Sequence, residues 1–276
     1  MTEKTVLDKF SLQEKNALVT GGAGLLGKRF TLALAQAGAN VMVADLNLDA
    51  AQAHAEVLTQ KGYRAHATAL NVTDPESCKQ VVADTLKLYG SVDVLVNSAA
   101  MDPKFDPQNL GKQNKNAFEH YSPEAWRFTL DINLTGMFLA TQATVPAMLD
   151  AGRGVIVNIC STYGLNGPDQ RIYPEVDGQV LYKPGDYSVA KAGVLGFTRY
   201  LAAYYAGKNI RVNALTPGGV FNNHNQTFAD NYAAKTIMGR MARIDEMDAA
   251  MLFLCSDASS YMTGSNLVVD GGWTAW

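Results

Sequence analysis

Short apolar runs alternate with amphipathic stretches along most of this chain, at the close spacing typical of strand–helix repeats. The apolar runs predict strands over residues 16–20, 40–45, 64–70, 92–97, 154–161, 210–215 and 266–269. The stretches between them predict helices over residues 28–37, 48–61, 74–89, 123–150 and 245–255, with a further helix carrying residues 187–197. This alternation predicts a doubly wound parallel sheet of the α/β class, on which ligands bind at the carboxyl ends of the strands.

Three polar stretches interrupt this alternation. Residues 101–121 and 165–185 are polar and broken by prolines, so they are predicted to be loop insertions. Loops of that length in compact domains tend to be functional. Residues 222–237 are polar and are predicted to be mobile. The length allows one large domain or two small ones, and we interpret residues 1–276 as a single domain.

The composition narrows the classes of partner. With 276 residues, of which 47% are hydrophobic, the chain can bury a sizeable core. A net charge of −3 gives no electrostatic reason to expect nucleic acid or an anionic membrane as a partner. The three cysteines and four histidines are scattered without metal-binding spacing, and no apolar run is long enough to cross a bilayer. We therefore expect a soluble, cytoplasmic protein that holds no metal and acts on a small molecule.

A glycine-rich turn follows the first predicted strand. Gly21, Gly24 and Gly27 lie between that strand and the first predicted helix. Glycines allow a pyrophosphate to approach the backbone, and the N-terminus of a helix offers it unpaired N–H groups. The turn therefore favours nucleotide binding, with a purely structural tight turn as the alternative.

The second predicted strand ends on a carboxylate, Asp45. At this place an acidic side chain accepts hydrogen bonds from the adenosine ribose and repels a 2′-phosphate, which favours NAD over NADP. Asp45 could instead cap the next helix, although Asn47 or Asp49 could serve there. Lys28 and Arg29 keep NADP open, because either could meet a 2′-phosphate.

Tyr187 and Lys191 are four residues apart in a predicted helix, so both side chains lie on one face. A nearby cation favours the phenolate and makes a tyrosine a usable general acid/base. A chain with 12 tyrosines will often contain such a pair by chance, so the pair needs support from elsewhere in the chain.

Polar groups also mark the ends of two other strands. Asn97 and Ala99 fall at the carboxyl end of the fourth predicted strand, and the fifth ends in the hydroxyl of Ser161. Asn133 interrupts the apolar positions of the helix predicted over residues 123–150, where it is functional, solvated or bonded internally.

Taken together, the glycine turn, Asp45, the residues that follow the fourth strand, and the Tyr187–Lys191 pair resemble the short-chain dehydrogenase/reductase family. The match covers nearly the whole chain and also includes Asn133, Ser161, Pro217, Gly218 and the ending at residues 269–272. The resemblance implies a Rossmann-type sheet of about seven parallel strands. It also implies that Tyr187 is the catalytic acid/base and that Lys191 lowers its pKa and binds the nicotinamide ribose. Ser161 would orient the substrate oxygen, and Asn133 would hold a proton-relay water near Lys191.

The cofactor-binding residues implied by the resemblance form one set: Gly21, Gly24, Leu25, Leu26, Gly27, Asp45, Asn71, Val72, Asn97, Ala99, Lys191, Pro217, Gly218 and Val220. The chain departs from the family pattern at several of these places. The glycine spacing is that of the family's extended members, whereas the rest of the chain is of the classical type. Asn71 stands where an acidic residue often lies beside the adenine, and Asn222 replaces the threonine usual after the Pro-Gly turn.

The insertion at residues 165–185 and the ending at residues 270–276 resemble a subgroup linked to bacterial carbohydrate and nucleotide-sugar metabolism. A polar lid suits a substrate with many hydroxyl groups. Asp169, Arg171 and Tyr173 are therefore expected to bind substrate together with Ser161 and Tyr187, and Arg171 could grip an anion with its guanidinium fork.

The sequence thus predicts an NAD-dependent oxidoreductase acting on a secondary alcohol or ketone of a polar, carbohydrate-type substrate. Two alternatives remain: an NADP-linked carbonyl or acyl reductase, and a cofactor-binding protein without turnover. Relatives in the family pair the long helices that follow strands four and five. We therefore expect a homo-oligomer, a tetramer, with Leu195, Phe197, Tyr200 and Tyr204 as candidates for the contact surfaces.

Overall fold

The computed structural model describes residues 5–102, 116–173, 175 and 181–276. Its described strands form one seven-stranded, all-parallel sheet in the order β3-β2-β1-β4-β5-β6-β7. The strands are β1 (Asn16–Thr20), β2 (Asn40–Asp45), β3 (Ala65–Ala69), β4 (Val94–Asn97), β5 (Gly154–Ile159), β6 (Ile210–Pro217) and β7 (Asn266–Val269). The predicted fold class is confirmed: the strand order reverses between β1 and β4, which is the switch point where doubly wound sheets bind ligands.

Helices cover both faces of the sheet. They are α1 (Leu25–Gln36), α2 (Leu48–Gln60), α3 (Pro75–Tyr89), α4 (Pro123–Leu130), α5 (Gly136–Asp150), α6 (Gly185–Tyr204), α7 (Gln226–Ala233) and α8 (Asp248–Cys255). Within the described ranges, no helix combines the length and the apolar character needed to cross a membrane.

Alternate side chains of each strand enter two different cores. Ala17 and Val19 of β1 pack with α1, α2 and α8, whereas Leu18 between them packs on the opposite face with α3, α5 and α6. All three side chains are at most 1% exposed. The near-continuous apolar runs in the sequence follow from this arrangement, because a parallel sheet covered on both faces has no solvent side.

Besides shifts of one to three residues at the ends of elements, the structure differs from the sequence-based prediction in the following ways. The helix predicted over residues 123–150 contains a π-helical turn at Asp131–Thr135, which divides it into α4 and α5. The helix predicted from residue 245 begins at Asp248. The polar segment 222–237, which was predicted to be mobile, contains α7, whose Tyr232 is buried against the aromatic residue Trp273. This polar segment thus forms a helix that is held in place by one buried side chain, Tyr232.

Helix α6 packs unusually closely on the turn that follows β5. A Cβ atom added at Gly164 would lie 2.6 Å from the backbone carbon of Lys191 and 2.8 Å from Cys160 Sγ. On the other side of the helix, a Cβ at Gly193 would lie 2.8 Å from a methyl group of Leu134 in the π-helical turn. These two glycines bring α6 close to β5 and to the α4–α5 junction.

Gly164→Ala should therefore push α6 away from the turn after β5. Because the added methyl group meets backbone atoms that cannot move aside cheaply, we expect the free energy of unfolding to fall by about 1–3 kcal/mol. Gly167→Ala is the matched control in the same loop, since a Cβ there meets nothing within 4 Å. Urea unfolding of the two variants measures the difference, and equal midpoints would contradict the close packing at Gly164.

Candidate active site

The sequence-predicted catalytic residues meet where the carboxyl end of β5 lies against α6. Ser161 lies two residues beyond the end of β5, and its hydroxyl interacts with the phenol of Tyr187, a residue of intermediate exposure. The Lys191 side chain is 2% exposed, and its Nζ donates a hydrogen bond to the backbone oxygen of Ile159, at 2.9 Å. One turn of α6 therefore delivers a phenol and an ammonium to the same edge of the sheet.

The pKa of Tyr187 lies above the usual phenol value. Burial is the largest cause, and the Asp102 carboxylate adds to the shift, whereas the hydrogen bond with Ser161 lowers the pKa. Burial also lowers the pKa of the Lys191 ammonium to about 8. Its Nζ lies 5.6 Å from the centroid of the Tyr187 ring. The net shift at Tyr187 thus runs opposite to the one expected from the sequence, because desolvation outweighs the attraction of a lysine that burial itself makes easier to deprotonate.

Asn133 lies on the π-helical turn and is fully buried. Its Oδ1 accepts a hydrogen bond from the Met101 N–H and its Nδ2 donates one to the Met101 carbonyl oxygen, each at 2.9 Å. Short π-helical turns within α-helices are often found at functional sites. Here Asn133 fixes the backbone that follows β4, and a role in holding a water near Lys191 stays a prediction.

A second buried lysine, which the sequence argument did not assign, lies beside Tyr187. Lys183 Nζ is 4.5 Å from the centroid of the Tyr187 ring and forms an ion pair with Asp102. The Lys183 side chain is 6% exposed, whereas that of Asp102 is 55% exposed. Lys183 is one of several charges in the insertion at residues 165–185, and nothing in the local spacing distinguishes it from the others.

The glycine turn after β1 is shaped for close approach. Gly21 has a φ of 63°, and a Cβ there would lie 2.7 Å from the Cα of Ala99. A Cβ at Gly27 would lie only 2.0 Å from the backbone oxygen of Gly21. Leu25 and Leu26 are the first residues of α1, after the cap residue Gly24, so their N–H groups have no partner within the helix. This cradle fits the pyrophosphate of a dinucleotide.

Asp45 does not cap α2, because that role belongs to Asn47, whose side chain accepts a hydrogen bond from the Ala50 N–H. The two Asp45 oxygens instead accept hydrogen bonds from the N–H groups of Ala23 and Asn47, each at 3.0 Å. Asp45 therefore connects the glycine turn to an open cavity of about 570 Å³ lined by residues 45–49.

The basic residues that kept NADP open differ in their surroundings. Arg29 forms an ion pair with Asp248 of α8, which engages its guanidinium group away from residues 45–49. Lys28 is exposed near the N-terminus of α1. Burial and the positive charge of Lys28 both lower the pKa of His54.

The remaining predicted cofactor residues surround the same edge in different ways. The Ala99 N–H donates to the Thr20 hydroxyl, at 3.1 Å. The Asn97 side chain is turned into the core, where its Nδ2 donates to Thr141 and Asn158, and its Oδ1 is buried without a hydrogen-bond partner among the described residues. Asn71 caps a turn by accepting a hydrogen bond from the Thr73 N–H.

Four further predicted cofactor residues lie at the end of β6 or on the loops that follow β3 and β6. Val72 packs against Gly136 at the start of α5. Gly218, directly after Pro217, passes so close to β7 that a Cβ would lie 2.7 Å from Asp270 Cα. Val220 forms a parallel bridge with Ala242.

The predicted substrate residues of the insertion divide into two groups. The guanidinium of Arg171 is 83% exposed and makes a bidentate ion pair with Asp169, so its fork is already occupied. Asp169 also pairs with Lys235. Tyr173, in contrast, is 7% exposed, and its hydroxyl lies 2.9 Å from that of Tyr163.

The inner face of the insertion is therefore apolar, in contrast to the polar lid expected from the sequence. One buried cluster includes Ile172, Tyr173, Leu181, Tyr232, Met241 and Trp273. The charged residues Asp169 and Arg171 lie outside this cluster. Position along the chain did not reveal this division, because polar and aromatic residues are interleaved in the segment. Residues 174 and 176–180 of the insertion are outside the described part of the chain.

A search of the described residues finds no group of three or more His, Cys, Asp or Glu side chains placed to hold a metal ion. A cavity of about 1200 Å³ lies beside α4 and the start of α6, with Tyr121, Trp126, Lys183 and Ser188 among its lining residues. Ser161 and Tyr187 do not line it, so we place the chemistry at the sheet edge, where the reactive groups meet, rather than in the larger cavity.

Comparison with known proteins supports the same assignment. A family model described as enoyl-(acyl carrier protein) reductase matches residues 23–274. The chain is 35% identical over 274 residues to the cyclohexanol dehydrogenase of Acinetobacter sp. (strain SE19), with 99% of each protein covered. It is 34% identical over 270 residues to the D-threitol dehydrogenase of Mycolicibacterium smegmatis, covering 96% of this chain and 95% of that one.

Among solved structures, a gluconate 5-dehydrogenase from Burkholderia cenocepacia J2315 in complex with NADP and tartrate superposes with a TM-score of 0.84. The two sequences are 27% identical, and the match covers 99% of this chain and 100% of the other.

Proposed function

The chain belongs to the short-chain dehydrogenase/reductase family and is an NAD(P)-dependent oxidoreductase, and from this premise we propose that it interconverts a secondary alcohol and a ketone on a polar, carbohydrate-type substrate, with NAD as its cofactor. The observation that carries the proposal is the meeting of Ser161, Tyr187 and Lys191 at the edge of the sheet that also holds the glycine turn.

Each residue has a chemical task in this proposal. The dinucleotide, when bound, supplies the hydride acceptor or donor. The glycine turn and the N-terminus of α1 hold its pyrophosphate, and Asp45 accepts hydrogen bonds from the adenosine ribose. Ser161 orients the substrate oxygen, and Tyr187 takes the hydroxyl proton during oxidation and returns it during reduction. Lys191 lies one helical turn away, where its positive charge favours the phenolate form of Tyr187.

Preference for NAD rests on charge near the ribose. Asp45 and Asp49 both line the cavity beside the second strand, and no basic residue is among the five that line it. A carboxylate held at this place by the Ala23 N–H repels a 2′-phosphate. Arg29 forms an ion pair with Asp248. Of the two basic residues that could meet a 2′-phosphate, this leaves only the exposed Lys28 without such a partner in the described structure.

The substrate class is supported by what the relatives are named for. D-threitol and gluconate carry several hydroxyl groups, whereas cyclohexanol is a ring alcohol. All three names point to the oxidation of a carbinol carbon in a small molecule.

An NADP-linked acyl reductase is the second candidate. The matching family model carries an acyl-carrier-protein reductase description. Turnover of an acyl thioester with NADPH, at higher kcat/KM than any alcohol with NAD, would favour this second function.

Assembly as a homotetramer is part of the proposal. Tyr200 and Tyr204 on α6 are 60% and 66% exposed and stack on each other, with ring centroids 5.7 Å apart. Phe197 is partly covered by Phe138 of α5, at 6.3 Å between centroids. These aromatic rings on neighbouring helices offer an apolar surface to a second copy. A cytoplasmic location is proposed because the cofactor is an intracellular metabolite and the three cysteines are free.

Tyr187→Phe tests the reaction itself. Removing the proton acceptor should lower kcat for NAD-dependent oxidation of the best secondary alcohol by about 10²–10⁴-fold, while the NAD dissociation constant stays within about threefold. Tyr261→Phe removes a hydroxyl from a fully exposed ring and is the control. Absorbance of the reduced nicotinamide measures the rate, and near-normal kcat in the Tyr187→Phe enzyme would refute the assignment of Tyr187.

Ser161→Ala tests the electrostatics of the phenol. The hydrogen bond from Ser161 lowers the pKa of Tyr187, so its loss should move the rise of kcat/KM for alcohol oxidation to higher pH. The rate should also fall by about 10²–10³-fold, because the substrate oxygen loses a partner. Ser188→Ala is the control, since Ser188 adjoins Tyr187 but its Oγ bonds to no described residue. An unshifted pH profile in the Ser161 variant would contradict the arrangement.

Asp45→Ala tests the cofactor. Wild-type enzyme should turn over with higher kcat/KM with NAD than with NADP, and the variant should reduce that ratio at least about tenfold through weaker ribose binding and lost repulsion of the phosphate. Asp49→Ala should reduce it less, because Asp49 makes no hydrogen bond to the glycine turn in the described structure. A wild-type preference for NADP would overturn this part of the proposal.

A further inference from the structure

Lys183 is a buried cation next to the reacting residues that the proposed reaction does not use. Its side chain is 6% exposed, and its Nζ lies 4.5 Å from the centroid of the Tyr187 ring. A buried ammonium is costly unless an anion accompanies it. Asp102 is that anion here, and its side chain is 55% exposed.

Both ends of the ion pair are held by paired backbone hydrogen bonds. The Gln170 side chain accepts from the Lys183 N–H at 2.9 Å and donates to the Lys183 carbonyl oxygen at 3.0 Å. Asn133 makes the same two-point contact with Met101, the residue before Asp102. Two amide side chains therefore fix the segments from which Lys183 and Asp102 extend toward Tyr187.

The two partners differ in what they lose on separation. Asp102 would regain water readily, because it is already more than half exposed, whereas Lys183 must keep an anionic partner in its buried position. A substrate carboxylate could take the place of Asp102 at Lys183 without leaving either charge buried and unpaired. The partner that Lys183 now holds is itself a carboxylate, so the geometry around its Nζ suits that group.

Other cations near the insertion are less suited to this task. The Arg171 fork is filled by Asp169 and is 83% exposed, and Lys235 also pairs with Asp169. Lys191 donates to the Ile159 carbonyl oxygen and lies at the dinucleotide side of Tyr187 in the proposed mechanism. Lys183 additionally lines the cavity of about 1200 Å³ beside α4, which offers room next to the ammonium.

We propose that Lys183 is a specificity-determining residue that binds the carboxylate of a hydroxy-acid substrate by exchanging it for Asp102. The inference rests on the proposed oxidation of a secondary alcohol and adds a charge to the substrate class. A carboxylate on Lys183 lies beside the Tyr187 ring, so the carbinol a few bonds away in the same small molecule reaches the phenol.

Matched substrates that differ only in charge test the inference. The probes are 4-hydroxycyclohexanecarboxylate with its carboxamide, and gluconate with gluconamide, each oxidised with NAD. In wild-type enzyme, kcat/KM for the acid should exceed that for the amide by about 10- to 100-fold in at least one pair, the range of a charge-assisted hydrogen bond. Lys183→Met should reduce this acid-to-amide ratio at least about tenfold, mainly through KM for the acid.

Asp102→Asn gives the second, opposite readout. Removing the competing carboxylate should raise the acid-to-amide ratio of kcat/KM. If the ion pair had only a structural role, Lys183→Met and Asp102→Asn would change this ratio in the same direction or not at all. An effect of Lys183 only on the pKa of Tyr187 would lower kcat for acid and amide equally. Lys79→Met is the control, because Lys79 is an exposed residue of α3 paired with Glu76. Thermal unfolding and NADH binding confirm that each variant folds.

The outcomes separate this inference from the proposed function. If neutral secondary alcohols are oxidised with NAD but neither acid is preferred over its amide, or the ratio survives Lys183→Met, the role of Lys183 is wrong and the proposed reaction stands. If no secondary alcohol is oxidised by the wild-type enzyme, the proposed reaction fails and the inference fails with it.

Discussion

The hydrogen bond from Lys191 Nζ to the Ile159 carbonyl oxygen is the contact on which the arrangement of the site depends. It joins the middle of α6 to the last residue of β5 and so fixes the helix against the carboxyl edge of the sheet. The contact requires a backbone approach that only glycine permits at residue 164, where a Cβ would overlap Lys191. Ser161 lies two residues beyond the end of β5 and interacts with Tyr187, one helical turn before Lys191 in α6. A side-chain hydrogen bond, a glycine and a strand end together determine where proton transfer can take place.

Burial is the second constraint on this site, and it acts on each titratable group differently. It raises the pKa of Tyr187, with Asp102 adding to the effect, and lowers the pKa of Lys191 to about 8. Both shifts favour the neutral form, so the described arrangement holds a proton on the phenol. Tyr187 must be in its phenolate form to accept a proton from an alcohol. The phenolate becomes accessible when the anionic Asp102 carboxylate is farther from the Tyr187 ring or when cations dominate around that ring.

The segment that precedes α6 combines two kinds of surface with separate roles. Its aromatic side, with Tyr173 packed in the same cluster as Tyr232 and Trp273, ties the insertion to α7 and to the end of the chain. Its charged side carries the Asp169–Arg171 pair toward solvent. Gln170, between these two, binds the backbone of Lys183 at two points. The aromatic packing anchors the insertion, and Gln170 then holds Lys183 near the phenol of Tyr187.

The sequence by itself determined the order of strands and helices, the dinucleotide cradle and the pairing of Tyr187 with Lys191. These features are local, since they depend on hydrophobic period, on glycine at a turn and on the four-residue spacing of a helix. Only the tertiary structure decided that Asn97 faces the core, that Arg171 is engaged by Asp169, and that Lys183 rather than Arg171 lies beside the phenol. Asp102 and Lys183 are 81 residues apart, and their meeting depends on how the loop after β4 packs against the start of α6. Contacts of that kind arise from the packing of whole elements, and no periodicity or spacing within either segment specifies them.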